Sequence, residues 1–201
     1  MRLDDVQPLS SDNTGDAMTS ALHLAKRTWT ESEYLAIGET PERIELFDGS
    51  LHVSPIPTGG HQHIASELQA AMRDAVRHAG LYSFQGLNIR LRPGHIRVPD
   101  FLITTTIDYQ ESVYDVGVVR LACEIVSPSN PATDKLHKMH YYAEAGIPWY
   151  LVIDPRAETF HLYQLNGNRY AEHASASPGK PLELIEPVAV TIDPADLLPP
   201  S

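Results

Sequence analysis

Three charged residues stand where charge is costly. Asp100 follows Pro99 in RVPDFLIT, Glu124 lies in LACEIVSP, and Lys138 lies in TDKLHKMHYYAEAG. The first two segments are apolar and strand-like, and an ionised carboxylate there needs a paired partner or a bound cation. On a helical wheel of about 100° per residue, Lys138 shares a face with Tyr141, Tyr142 and Ala145. His137, His140 and Glu144 take the narrow wet side. A lysine in that arc either snorkels outward or reaches a buried anion, and Glu124 and Asp100 are the candidates. Phosphodiester hydrolysis needs such a set. Carboxylates hold a cation that polarises the phosphate and helps deprotonate a water. A lysine orients the water and stabilises the charge that develops. Mg²⁺ takes oxygen ligands and keeps several waters, so two or three carboxylates suffice, and Mn²⁺ is the alternative ion. The D…E…K spacing by itself is abundant by chance, so the surroundings carry the weight.

Other polar residues point elsewhere. Ten histidines invite zinc, above all His61-x-His63, but i and i+2 on a helix point apart, and no Cys or further His adds ligand spacing. Helix capping or a phosphate contact suits His61 better. Ser127 and Ser129 sit in a Ser-Pro-Ser-Asn turn where hydroxyls cap helices, and neither has a His-Asp pattern for a nucleophile. Asp134 suits the first turn of its helix through the dipole. Tyr141 and Tyr142 read as core rather than as base-stacking platforms. No Gly-rich phosphate loop is present.

Charge argues against a surface-wide field for nucleic acid. With 15 Lys and Arg against 26 Asp and Glu, the 201 residues carry a formal charge of −11, whereas nucleic-acid affinity draws on basic residues neutralising phosphates. Local patches remain open: Arg90, Arg92 and Arg97 around one hairpin, and Arg73 with Arg77 one helical turn apart, each of which also reads as solvated surface. The single Cys123 lies in an apolar run, so core packing in a reducing interior is expected. The start has no basic-then-apolar pattern, and no apolar run nears the roughly 20 residues of a membrane span. A cytoplasmic protein is expected.

The elements that must position these residues follow from periodicity. Residues 1–27 lack it and read as a disordered N-terminal arm, followed by a single domain over 28–198. Thr30 and Glu33 form a capping-box pattern, with Gly38 to end the short helix. RIELFDGSLHV reads as a hairpin turning at Asp48-Gly49. From His61 to Ala79, the residues Ile64, Leu68, Ala71, Met72, Ala75, Val76 and Ala79 make a helical stripe. LYSFQGLNIRL and HIRVPDFLIT read as strands joined at Arg92-Pro93-Gly94. VGVVRLACEIV and WYLVID read as buried strands around a helix over 133–145, and ETFHLYQL with RYAEHA as a hairpin at Asn166-Gly167. The sum is an α/β (α+β) domain: a central mixed β-sheet flanked by helices, with extra β-hairpins.

The wider pattern resembles a known family. RVPDFLIT followed by ACEIVSPSNPATDKLHKMHYYAEAGIPWYLVIDP is similar to the bacterial putative restriction endonuclease family of the PD-(D/E)XK nuclease superfamily. The matching positions are Pro99-Asp100, Glu124 through Ser129, Asp134 with Lys138 and Tyr142, and Gly146 through Pro155. IELFDGSL resembles the family's hairpin, with Glu45 as the matching acid, and GGHQHIASEL its histidine-led helix. The likeness covers roughly residues 29–165, with Glu124–Pro155 the specific part. It implies a restriction-endonuclease-like core, with Asp100 and Glu124 as ligands of Mg²⁺ or Mn²⁺ and Glu45 as an additional acid near the metal. The superfamily's usual lysine position, two after the glutamate, is Val126, so the role passes to Lys138 on the next helix. Trp149-Tyr150-Leu151 departs from the family's frequent glutamate-tyrosine-tryptophan, which puts a polar role at 149 in doubt.

The expectation is therefore a metal-dependent endonuclease that hydrolyses DNA phosphodiester bonds, with duplex DNA as partner and a homodimer to cut both strands. The alternatives are a catalytically silent nuclease-fold module that binds DNA, and a phosphodiesterase acting on small nucleotides.

Overall fold

The chain passes from one sheet to another at a single proline, Pro99. A computed structural model describes residues 28–38, 40–127 and 132–198, with the backbone alone for 132–136. The expected arm over 1–27, Ser129 and the side chain of Asp134 lie outside the described residues. Helix α1 (Glu31–Leu35) has the expected capping box, Thr30 and Glu33 satisfying each other's backbone amides. The hairpin of β1 (Arg43–Phe47) and β2 (Ser50–Ser54) turns at Asp48 and Gly49, with φ of 46° and 77°. Two positive φ values in succession belong to the hairpin turn whose twist matches its strands.

Helix α2 (Gly59–His78) is capped by Thr58 and buries Ile64, Ala65, Leu68, Met72 and Val76. Ala71 and Ala79, expected on the stripe, are exposed. Ala71 lies at the margin of the buried arc, and Ala79 follows the last turn.

The segments LYSFQGLNIRL and HIRVPDFLIT do not form one strand each. The first divides into β3 (Tyr82–Phe84) and β4 (Asn88–Arg92), the second into β5 (His95–Arg97) and β6 (Phe101–Thr104). Gly86, at φ 63°, turns the chain in the first case. In the second, Pro99 has no N–H to offer a ladder, so the strand breaks there and the chain changes sheets. The remaining strands are β7 (Val113–Asp115), β8 (Val119–Ile125), β9 (Trp149–Asp154), β10 (Thr159–Asn166), β11 (Arg169–Ala176), β12 (Leu182–Leu184) and β13 (Val190–Ile192). Helix α3 (Ala132–Glu144) connects β8 to β9, and α4 (Pro194–Leu197) closes the description.

Strands β11-β10-β9-β8-β6-β3 form a six-stranded sheet, mixed because β8 and β9 run parallel. Strands β2-β1-β5-β4-β7 form a second sheet, with β4 and β7 parallel. The pair β12-β13 stands apart. Alternation along β8 sends Leu121, Cys123 and Ile125 toward α2, into a core with Leu68, Met72 and Phe101. Ala122, with Tyr150 and Val152 of β9, faces the other way, toward Tyr142 of α3 and Ile89 of β4. A third cluster of Tyr34, Leu46, Ile96 and Val113 fills the space under α1. This is the expected mixed α+β architecture, a central mixed sheet between helices with added hairpins. Cys123 is free and buried, as expected of a core residue. Among the described residues no helix is long and apolar enough to cross a membrane.

Candidate active site

Asp100 sits where the chain leaves one sheet for the other. Its backbone N–H donates to the Cys123 carbonyl at 3.1 Å, and its Oδ2 accepts from the Ile125 amide at 2.8 Å. Both bonds fix it beside the end of β8. Its Oδ1 accepts from Arg43 at the start of β1, at 2.7 Å, and lies 3.1 Å from His61 Nε2 in the first turn of α2. Asp100 is 4% exposed. Burial raises its pKa, but the His61 hydrogen bond, the Arg43 charge and the Ile125 amide outweigh it and bring the value down to about 2.

Glu124 lies one residue from the end of β8. Alternation puts it on the α3 side of the sheet, where residues one helical turn apart can both reach it. Lys138 Nζ donates to Oε2 at 2.8 Å, and the Tyr142 hydroxyl donates to Oε1 at 2.7 Å. Burial pushes the Glu124 pKa up, Lys138 pulls it back, and the charges of Asp100 and Glu45 push it up again, to about 7. The two carboxylates thus lie on opposite sides of the usual carboxylate range, a divergence common at functional sites and also seen in structural ion-pair networks. Tyr142, fully buried, keeps its proton, its pKa raised well above the usual value by burial first and then by Glu124.

Glu45 faces the same region from β1. Its two oxygens accept from Arg97 at 2.9 Å and from the Val98 amide at 2.9 Å. It thus grips the two residues just upstream of Pro99-Asp100. The Arg97 guanidinium lies 4.8 Å from the Phe47 ring centre and 5.6 Å from that of Tyr141.

Asp100, Glu124, Lys138 and Glu45 all line one cleft of about 680 Å³, together with Arg43, His61 and Arg97. The four residues chosen from the sequence are therefore brought together. Arg43 was not foreseen. Its only sequence signal is a basic residue opening the strand that carries Glu45. The ring contact of His61 with Asp100 was equally hidden, since residues 39 apart in sequence meet only through the fold.

The basic patch left open for Arg90, Arg92 and Arg97 does not form. Arg97 is buried on Glu45, Arg90 bonds Glu31 and Asp115, and Arg92 bonds Asp48. The hairpin turn brings these arginines to carboxylates of other segments, so their charge is spent locally. Arg73 and Arg77 are exposed on α2. The helix of Lys138 matches its wheel: Lys138 and Tyr142 are buried, while His137, His140 and Glu144 are exposed. Trp149 packs in the core on the α2 side, so the departure at that position lies on the face of the sheet away from Glu124.

The donor set of the cleft suits a hard cation. Asp100 Oδ2 and both Glu124 oxygens each have lone-pair capacity beyond their present bond, whereas Asp100 Oδ1 is taken by Arg43 and His61. Among the described residues no group of three His, Cys, Asp or Glu is arranged to hold one ion. An ion here would rest on two carboxylates and complete its shell with water or phosphate, as Mg²⁺ tolerates and zinc does not.

Comparison with known proteins fits this geometry. The family model Uma2, described as "Putative restriction endonuclease", matches residues 31–195. No curated protein matches the chain. The crystal structure of a putative nuclease belonging to DUF820 from Anabaena variabilis ATCC 29413 superposes with a TM-score of 0.70. It is 21% identical, over 84% of this chain and 97% of that one, a likeness of fold. A structure of DrdV in complex with DNA reaches a TM-score of only 0.29, with 14% identity over 56% of this chain and 12% of that one, and carries no argument. A match over most of the described residues, with the same fold in a solved structure, decides the family: the chain belongs to Uma2, the putative restriction endonucleases.

Proposed function

We propose that the protein is a Mg²⁺- or Mn²⁺-dependent endonuclease that hydrolyses DNA phosphodiester bonds, acting as a single domain over residues 28–198. The observation that supports this most is the set of Asp100, Glu124 and Lys138, each at least nine-tenths buried yet lining one open cleft. Burying such groups costs stability, and a function is a reason to keep them despite that cost. Asp100 and Glu124 hold the metal, which when bound supplies charge to polarise the phosphoryl oxygen and to acidify a water. Arg43 and His61 aim Asp100. Tyr142 and Lys138 aim Glu124, and the Lys138 ammonium, close to the scissile phosphate, orients the water and offsets the developing charge. Glu45 is the additional acid, acting through its hold on Arg97 and Val98. The substrate reading places the protein in the cytoplasm, and cutting both strands of a duplex calls for a homodimer.

The test is nicking of supercoiled plasmid by the wild type and Glu124→Ala, with Mg²⁺, Mn²⁺ or EDTA. Metal-dependent nicking that disappears in Glu124→Ala is expected. Equal nicking by a folded Glu124→Ala protein sinks the site assignment. A second reading draws support from the charge of −11 and the locally paired arginines. It is a phosphodiesterase for small nucleotides, which needs no extended basic track. Competition of plasmid nicking by nucleotides separates the two. A catalytically silent DNA-binding module would bind without cutting in any metal.

A further inference from the structure

The catalytic cleft does not end at its own rim. A second cleft of about 590 Å³ lies beside it, within the size range of small-molecule sites. The two share Arg43, Ile56 and Pro57 as a common wall. Ile56 crowns that wall and is 65% exposed.

The loop that carries Ile56 is restrained by its own sequence. It reads Pro55-Ile56-Pro57-Thr58 between β2 and α2. Two prolines fix their own φ, and Pro57 holds Ile56 in the extended region. Thr58 caps α2, and the Gln62 side chain donates to the Pro57 carbonyl at 3.0 Å. An exposed isoleucine is thereby preorganised at little entropic cost, whereas a stray surface residue would need no such support.

The second cleft has a largely apolar lining. Leu35, Ile37 and Pro41 line it, beside Asn88 and Ser112, whose side-chain amide and backbone carbonyl are already bonded to each other at 3.1 Å. Its charged lining is Glu42 and Arg43, and Arg43 is already bound to Asp100. Of the six exposed large hydrophobic side chains among the described residues, Leu35, Val53 and Ile56 line these two clefts. The cleft's one cation among the described residues, Arg43, is engaged by Asp100, so the lining suits the apolar face of a nucleobase better than a phosphate backbone. Apolar side chains at such positions pry bases out of the stack, and an extruded base needs a pocket beside the reacting phosphate.

We infer that the second cleft binds the base of a nucleotide adjacent to the scissile phosphate, with Ile56 as the apolar wedge that separates this base from its neighbour. The inference rests on the nuclease reading for its placement, but it concerns recognition of bases. It also answers the charge objection, because part of the affinity then comes from apolar contact rather than from phosphate neutralisation.

The experiment uses the full chain and two fluorescein-labelled single strands of about 20 residues, enough for a single-strand site. One is oligo(dT) and the other carries abasic deoxyribose phosphates, with identical charge. Binding is read by anisotropy in Ca²⁺, and cleavage in Mn²⁺. The wild type is expected to favour oligo(dT) by about tenfold, from burial of the exposed part of Ile56 and its neighbours. Ile56→Ser and Leu35→Ser, both surface changes, are expected to abolish that preference, and Leu35→Ser, which lies outside the catalytic cleft, to leave abasic binding unchanged. Equal wild-type affinity for the two strands, or a preference that survives both substitutions, overturns the inference. Base preference without any cleavage counts against the nuclease reading instead, and cleavage without base preference counts against the base site alone.

Discussion

Lys138→Met isolates the electrostatics of the site. In the wild type, Lys138 is the cation nearest Glu124 and the strongest influence holding its pKa down to about 7 against burial. A carboxyl whose folded pKa exceeds its unfolded value stabilises the fold fully below the unfolded value, near 4.5, and loses that contribution as pH rises through the folded one. Removing Lys138 raises the folded value further, so the loss by pH 8 is larger. Stripping one partner from a buried pair costs about 3–5 kcal/mol. At roughly 2–4 °C per kcal/mol for a chain of this size, Lys138→Met should melt about 10 °C lower at pH 8. At pH 5 Glu124 keeps its proton in both proteins, and the deficit should shrink to the packing and hydrogen-bond loss of about 1 kcal/mol. The assay is a double-mutant cycle with Glu124→Gln, melted by circular dichroism from pH 5 to pH 8. A coupling of about 3 kcal/mol at pH 8 that fades by pH 5 is expected. A coupling that is flat with pH, or absent at pH 8, refutes the reasoning. The double variant should be no less stable than the wild type, since exchange of a buried pair for neutral groups is commonly neutral or stabilising.

Asp100 behaves with the opposite sign. Its folded pKa is depressed from 3.8 to about 2, so its contribution is present above 3.8 and lost as pH falls through 2. Asp100→Asn should cost about 2 kcal/mol at pH 6, by the size of that shift, with the deficit closing in melts taken toward pH 2. A constant deficit would show that Arg43 and His61 do not set the shift. Tyr142→Phe removes the hydroxyl on Glu124 Oε1 and should cost about 1–2 kcal/mol. It should also move the acid limb of the cleavage profile to higher pH, which rate measurements from pH 5 to pH 9 would reveal. Saturating Mn²⁺ should raise the wild-type melting temperature, with about 2.7 kcal/mol gained at a hundredfold excess over Kd, and should leave Glu124→Ala unmoved. An equal shift in both proteins would place the ion elsewhere.

Much of the site was legible because its chemistry breaks local rules. A carboxylate inside an apolar strand and a lysine on the buried arc of a helix contradict the hydrophobic pattern around them, and such contradictions mark functional positions. Asp100, Glu124 and Lys138 stood out for that reason, and they do line one cleft. Arg43, by contrast, opens a strand at an unremarkable polar position. Nothing local distinguishes it from Arg73 or Arg90, and only its arrival at Asp100, 57 residues away, gives it a place in the site. The burial of Arg97, left open between a patch and solvated surface, was hidden for the same reason, because its partner Glu45 is 52 residues distant.

By itself the sequence determined the elements that short-range physics governs. The capping box at Thr30, the Asp48-Gly49 turn, the stripe of α2 and the wheel of α3 depend on neighbours within a few residues, and each is found in the structure. The tertiary structure alone decided which sheet each half of RVPDFLIT joins, and so where Asp100 sits. Pro99 predicts a break in a ladder but not the destination of the chain beyond it. That destination follows from long-range pairing of β5 with β1 and of β6 with β8. The same pairing carries Glu45 and Arg43 to the end of β8, and the packing of α2 on the sheet brings His61 there. It also sets Pro55-Ile56-Pro57 between two clefts, a position that no local pattern in the chain encodes.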